Sequence, residues 1–516
     1  MTKLRVNACL LLALILLLAG ALRMFRLTSQ SLWGDEACMV YLAQEPASEI
    51  VRALASAGRP DVDVAPPVYF LLLHYWFRLF GASDVSARSF SAAAGWLSVL
   101  ALYLVGRELF DRRTALVGSG LASIHGFWIW YAQEARMYSL ALLAALVCTW
   151  LFALLLRRPT WPATAAYGLS AVLGLYIQYY FVLLLGVHAV YIAAAAFWPR
   201  LSPTGARPQK RMFAAAWAGA AAAFAPWIIV MLRDFRFAQG PGGFPSYFSA
   251  LATPAFLFLK FASFANEAFL REHMLLYALT ALFAAACVAA AFRRPVSWQA
   301  MFLGSAIVLP FAVVYSLSLL GLPVYKGHPF IIFSGFFILL TVHGAFRLPR
   351  RIGPALVLTL AAANVYTLAT LNYSRYYVKP RAAEAVNLLA QALEPGDRIY
   401  AVPAVIPCPL TTMGDLLVWK YYAEGRLSIT PLAGDQPIDL VNQMDAPSGD
   451  RVFAVLLQDN RLSGTANRAI LELLGSKYQS RGSWPPLVSG MRDFTLQIHF
   501  FSEVAGPPVP VPGLVL

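Results

Sequence analysis

Apolar stretches close to twenty residues long dominate the first 371 positions, and short clusters of Lys and Arg separate them. A bilayer core about 30 Å thick needs roughly 20 apolar residues per helix. Runs of that kind stand at 7–25, 89–106, 114–131, 137–156, 162–178, 181–198, 212–232, 274–292, 298–320, 330–346 and 353–371. The pattern predicts eleven transmembrane helices. The first has only Lys3 and Arg5 before it and no small-residue cleavage site, so it reads as a retained anchor.

One apolar run departs from this scheme. Segment 66–82, PPVYFLLLHYWFRLFGA, carries His74 and Arg78, and a crossing there would invert every later loop. It reads as an amphipathic helix in the outer interface, with a short genuine span as the alternative. After residue 372 the pattern changes: a helical period in RAAEAVNLLAQAL is followed by strand-like RIYAVPAV, RVFAVLLQ, helical TANRAILELLG and strand-like FTLQIHFF. The fold expected is an α-helical polytopic membrane domain over 1–371, including a first outer loop at 26–88. A small extracytoplasmic α/β domain is expected over 372–516.

Composition agrees with the pattern. Of 516 residues, 59% are hydrophobic and 13% charged, against about half and a quarter in soluble chains. Disorder and a disulfide-stapled secreted module are thereby excluded. The net charge of +14 raises a nucleic-acid partner, but its placement removes that reading. The loops at 1–6, 107–113, 157–161, 199–211, 293–297 and 347–352 hold 16 basic and two acidic residues. The opposite side, to 371, holds 12 and 11, and the tail 12 and 13. By the positive-inside rule the N-terminus is cytoplasmic and, after eleven crossings, the C-terminus is outside.

Candidate chemistry clusters on the outer side. In SQSLWGDEACMVYLAQ the pair Asp35 and Glu36 opens an apparent helix. The choice is between a general base beside the membrane and a helix N-cap at Asp35 followed by a first-turn acid. In WYAQEARMY, Gln133, Glu134 and Arg136 interrupt a long apolar stretch, either as a site or as a structural ion pair. Arg88, and Lys326 with His328 in PVYKGHPF, are either interfacial anchors or cations for a lipid-borne phosphate. Gln178, Tyr179 and Tyr180 mark a turn that could line a cavity, as could Tyr69. The outer loop at 233–273, which includes Lys260, reads in part as a lid. Cys38 and Cys408 lie outside the spans as an improbable disulfide, and His and Cys show no metal-ligand spacing. There is no Walker loop, dinucleotide glycine pattern or nucleophile elbow, so neither a cofactor nor a metal is expected.

Five motifs in order, SLWGDEA, PPVYFLLLHYWFRLFG, SDVSARSFSA, RELFDRRTALVGS and WYAQEARMYSLALL, resemble one family. It is the bacterial branch of the superfamily of dolichyl-phosphate-mannose protein mannosyltransferases and aminoarabinose transferases, integral membrane glycosyltransferases of GT-C architecture. The resemblance is dense over 26–150, looser to 371 and negligible in the tail. It implies transfer of a sugar from a polyprenyl-phosphate donor to a glycan, lipid or protein acceptor outside the membrane, usually with inversion. By resemblance Asp35, with Glu36 beside it, matches the acid that binds or deprotonates the acceptor hydroxyl. Arg88 matches a basic position near the donor phosphate, and Glu134 and Arg136 a signature at the cavity rim.

Two departures stand out. Ala65 occupies the position before the Pro pair where relatives have His or Asp, with Asp61 and Asp63 nearby. His328-Pro329-Phe330 stands where relatives carry Arg-Tyr-Leu, so the phosphate site depends on Arg88, Lys326 or a protonated His328. The expected protein is a hexosyl- or pentosyltransferase of a bacterial inner or plasma membrane. A transporter or lipid flippase is the alternative, against which stand the absence of an inverted repeat and the crowding of ionisable residues at the outer edge. A catalytically dead scaffold is the third reading.

Overall fold

The computed structural model describes residues 2–55, 65–202, 204–205, 207–237, 253–263, 273–322, 324–373, 381–392, 397–402, 418, 421–431, 444, 452–459, 464–483, 487–488 and 495–502. These gather into two compact units. One comprises Met1–Leu27, Pro46–Ala57 and Val64–Ser374; the other comprises Thr28–Glu45, Gly58–Asp63 and Arg375–Leu516. Asp61, Asp63 and Cys408, singled out in the sequence, and residues 238–252 and 264–272 of the outer loop lie outside the described residues.

The first unit is helical. Its elements open with α1 (Thr2–Met24), and α2 (Gly34–Gln44) follows in the chain but belongs to the second unit. Then come α3 (Ala47–Ala55), α4 (Val68–Phe80), α5 (Asp84–Leu109), α6 (Arg112–Ser123), α7 (Gly126–Ala132) and α8 (Tyr138–Arg157). The series continues with α9 (Trp161–Ile177), α10 (Phe181–Phe197), α11 (Lys210–Phe237), α12 (Thr253–Ala262), α13 (Met274–Ala291), α14 (Trp298–Leu319), α15 (Ile331–Ala345) and α16 (Ile352–Thr367). Among the described residues, seven helices are long and apolar enough to cross a membrane: α1, α5, α8, α11, α13, α14 and α16 with its extension to Thr370.

The remaining runs are shorter than their apolar stretches suggest. α4 has 13 residues, about 20 Å at 1.5 Å per residue, less than the hydrocarbon thickness. α15 is buried at every position except His343 and packs against α6, α8, α12, α13, α14 and α16. A helix apolar all round takes that central place. At Gly344 a Cβ would stand 1.8 Å from the carbonyl oxygen of Cys287, so the close approach of α15 to α13 requires glycine. α1 lies at the other extreme, with 11% of its span buried and Leu10, Leu14 and Leu17 exposed, as suits a lipid-facing helix.

The run 114–131, read from sequence as one span, is two helices broken at Ile124 and His125. Irregular backbone at membrane depth persists only where protein groups satisfy it. Here Arg23, fully buried at the end of α1, donates to Ser123 O at 3.2 Å and Ala122 O at 3.3 Å, and Asn372 Nδ2 donates to Gly126 O at 3.1 Å. A guanidinium at the C-terminus of α6 also meets the negative end of its dipole.

The second unit holds α17 (Ala382–Ala392), α18 (Gly464–Lys477) and a mixed sheet of β1 (Arg398–Val402), β2 (Ile429–Pro431), β3 (Val452–Asp459), β4 (Gln479–Ser483), β5 (Leu487–Val488) and β6 (Thr495–Ser502). The strand order is β2-β1-β3-β6-β4, with β5 on β6; β1 runs parallel to β2 and β3, and β6 antiparallel to its neighbours. Alternation along a strand sends side chains to opposite faces. Ile399, Ala401 and Ile498 join a core with α17, while Tyr400 and Phe501 join one with Ile470 and Leu474 of α18. Ala37 of α2 lies in the α17 core. Ser31 Oγ and Leu32 N bond Ala383 N and Tyr422 Oη at 3.1 and 2.8 Å. The stretch 28–45 thus clusters with the C-terminal residues rather than with the spans that flank it in sequence.

Candidate functional site

Within the helical unit, three of the expected cations and one further lysine are organised around two loops. The first loop, Gln133–Met137, joins α7 to α8. Gln133 Nε2 caps the end of α1 by donating to Phe25 O at 2.8 Å and Arg23 O at 3.1 Å. Glu134 is buried and accepts from Trp130 Nε1 at 3.0 Å. Arg136, 5% exposed, donates from Nη2 to Tyr138 Oη at 3.3 Å and lies 5.5 Å from the Tyr138 ring centroid. Its carbonyl accepts from Ser91 Oγ at 3.2 Å, and Ser91 Oγ lies 3.1 Å from Tyr69 Oη.

The second loop leads into α15. Tyr180 Oη donates to Val324 O and accepts from Lys326 N at 3.1 Å, which fastens the backbone beside Lys326. His328 Nδ1 lies 2.6 Å from Tyr131 Oη of α7, and its ring is 5.8 Å from that of Tyr138. Lys260 enters from α12, its ammonium 4.6 Å from the Phe256 ring centroid. A Cβ at Gly327 would stand 3.3 Å from Lys260 Nζ, which sets how close that lysine comes to the loop.

Burial, followed by the charges of Lys260, Arg136 and Lys326, lowers the His328 pKa from its ordinary 6.5 to about 3. The residue nonetheless keeps solvent-exposed surface. His328 is therefore neutral near pH 7, which corrects the reading of it as a protonated partner for phosphate. It is a hydrogen-bonding group inside a field made by three cations.

Other expected residues take structural places. Arg88 is 1% exposed and donates from Nη1 to Leu27 O at 3.1 Å, holding the chain where it leaves α1. Tyr69, at 1%, and Gln178, at 5%, are too buried to line open space. Tyr179 is half-buried and accepts from Trp227 Nε1 at 3.2 Å. Lys260 was visible in sequence as the one charge in TPAFLFLKFA. Its separation from Arg136 and Lys326 along the chain hid the cluster. Tyr131 and Tyr138 carried no signal beyond their aromaticity.

The acidic pair lies in the second unit, and its two members differ. Trp33, not Asp35, is the N-cap of α2. Glu36, fully buried, reaches back with Oε2 to the Trp33 amide at 3.4 Å, so it serves the helix start. Asp35 sits one position earlier in the first turn and is half-buried. Of the two, only Asp35 keeps solvent-accessible surface.

Seven helices long and apolar enough to cross a membrane, with a separate α/β unit, define a class: a polytopic membrane protein. Residues 64–230 match the model of the family described as dolichyl-phosphate-mannose-protein mannosyltransferase. No curated protein matches the sequence significantly. In fold the chain resembles ArnT from Cupriavidus metallidurans bound to undecaprenyl phosphate, with a TM-score of 0.51 at 14% identity over 97% of this chain and 99% of that one. It also resembles AglB, the oligosaccharyltransferase of Archaeoglobus fulgidus, in complex with an inhibitory peptide and a dolichol-phosphate. The TM-score there is 0.55 at 13% identity, over 98% of this chain and 75% of that one. The family match is confined to residues 64–230, and the likeness to these two solved structures is one of fold.

Proposed function

We propose that the protein transfers a sugar from a polyprenyl-phosphate donor to an acceptor hydroxyl on the extracytoplasmic face, with inversion. The observation that carries this reading is the convergence of Arg136, Lys260 and Lys326 on neutral His328. Breaking the bond between sugar and phosphate places growing negative charge on the departing oxygen. Cations that bind this oxygen more strongly in the transition state than in the ground state accelerate the step. In the tautomer protonated at Nε2, His328 accepts from Tyr131 at Nδ1 and keeps one N–H for the phosphate.

Asp35 takes the proton of the acceptor hydroxyl as general base. One displacement by one activated hydroxyl inverts the anomeric carbon, unlike the two-step retaining route. The phosphosugar bond supplies the driving force, so the reaction needs no nucleotide. The site faces outward in a topology of eleven crossings with a cytoplasmic N-terminus; α6 with α7 forms one broken crossing, and α4 lies in the outer interface. ArnT bound to undecaprenyl phosphate and AglB with a dolichol-phosphate support the donor class. The test is mass spectrometry of glycolipids and surface glycans from a deletion strain complemented with wild type or Asp35→Asn. A sugar modification restored by wild type and not by Asp35→Asn supports the reading, and restoration by both removes Asp35 as base.

A further inference from the structure

The break between α6 and α7 meets α12, α15 and α16 around a cavity of about 20 Å³, lined by Leu121, His125, Phe261, Phe337, Thr341 and Asn364 among others. Three buried side-chain atoms there, His125 Nδ1, Thr341 Oγ1 and Asn364 Oδ1, have no hydrogen-bond partner among the described residues. The residues that carry them are 2%, 3% and 2% exposed.

Their remaining bonds fix what each orphan atom offers. His125 Nε2 lies 3.0 Å from Phe261 O, a carbonyl that only accepts, so the ring proton is on Nε2 and the neutral ring's Nδ1 is an acceptor. Asn364 Nδ2 donates to Leu360 O at 2.9 Å and Ala262 O at 3.1 Å. Those two bonds set the amide orientation and leave Oδ1 as a second acceptor. The Thr341 hydroxyl turns freely and supplies a donor.

We propose that this cavity holds one ordered water, which donates to His125 Nδ1 and Asn364 Oδ1 and accepts from Thr341 Oγ1. The volume of about 20 Å³ exceeds the roughly 10–15 Å³ that one water needs and leaves no room for a larger guest. Buried waters make about three hydrogen bonds, the number available here. A hard cation takes six or more oxygen ligands, and the three orphan atoms include two oxygens.

The water has a mechanical consequence. It holds His125 and Asn364 in the orientations that bind Phe261 O and Ala262 O, the last carbonyls of α12, which a helix end otherwise leaves open. Ser263 Oγ is fastened in the same place to Thr367 Oγ1 at 2.9 Å. α12 is the helix that carries Lys260, so the hydrated clamp fixes the base of that lysine.

Cryo-EM of the full chain in lipid nanodiscs, at a resolution that shows ordered water, tests the proposal. A single peak within hydrogen-bond reach of the three atoms is expected, weakened or lost in the near-isosteric Thr341→Val. An empty cavity in the wild type overturns the proposal, and a peak unchanged in Thr341→Val overturns the bonding pattern. Hydroxyl-radical footprinting of the wild type keeps the question open to experiment if the variant does not fold. Radicals generated from a trapped water modify buried His125 and Phe261, whereas a dry cavity leaves both unmodified.

Discussion

The hydroxyl of Tyr131 lies 2.6 Å from Nδ1 of His328, joining α7 to the loop that enters α15 across nearly two hundred residues of sequence. Because the folded state holds His328 near pKa 3 against 6.5 in the unfolded chain, the unfolded state binds more protons between those values. The stability this group contributes is complete above pH 6.5 and is lost as pH falls towards 3. A pKa lowered to about 3 leaves His328 uncharged between pH 8 and pH 5. The ratio of donor affinity between wild type and His328→Asn should stay constant from pH 8 to pH 5; a ratio that climbs as pH drops through 6 would show an imidazolium in the site.

Lys260 stands beside Gly327 in the cation cluster. Lys260→Gln keeps an amide donor but removes the charge. Affinity for a polyprenyl phosphate, measured by a thermal-shift titration, should fall about tenfold, the worth of one charge-assisted hydrogen bond. Gly327→Ala should weaken binding in the same direction by displacing the ammonium. Unaltered affinity in both variants would take Lys260 out of the phosphate site.

Asp35 and Glu36 should separate in experiment. Asp35→Asn leaves the first turn of α2 intact and is expected to abolish sugar transfer with the melting temperature unchanged. Glu36→Ala removes the group that reaches the Trp33 amide and should destabilise the second unit by about 1 kcal/mol. Differential scanning fluorimetry beside an activity assay distinguishes the two roles, and equal loss of stability in both variants would contradict this division.

Arg23 bonds the Ala122 and Ser123 carbonyls at the end of α6. Arg23→Met keeps much of the side-chain length but leaves buried acceptors unmet, which costs about 1–3 kcal/mol for such a group. The thermal midpoint should drop, and amide exchange at Ile124 and His125 should quicken. A midpoint equal to wild type would mean that other donors serve the break.

Gly344 admits no side chain, since its Cβ would overlap the Cys287 carbonyl. Gly344→Leu should force α15 from α13 and abolish folded protein in detergent, as read by size-exclusion chromatography. Gly186 faces open space, and Gly186→Leu should behave as wild type.

Length and apolarity along the chain determined which segments form long apolar helices, seven of them sufficient to cross a membrane among the described residues. Those demands are local: a bilayer asks a fixed span of each helix, and positive charge marks the short loops between spans. The stretches around Asp35 and Arg136 stood out for a similar reason, as polar interruptions of apolar sequence, and their role in a site is the proposal made above. The helices at 382–392 and 464–477 and the strands at 398–402, 452–459 and 495–502 also followed their periodicities. Tertiary structure alone decided the rest. The break at His125 exists because Arg23 and Asn372, distant in sequence, bring donors to its carbonyls. Lys260 joins Arg136 and Lys326, and His328 is neutral, because α12, α7 and the loop before α15 meet in space. Glu36 is fully buried and Asp35 only partly so, on a helix whose Ala37 packs into the core with α17. Charge state, pairing and exposure depend on neighbours supplied by folding, and the order of residues along a chain does not contain their distances.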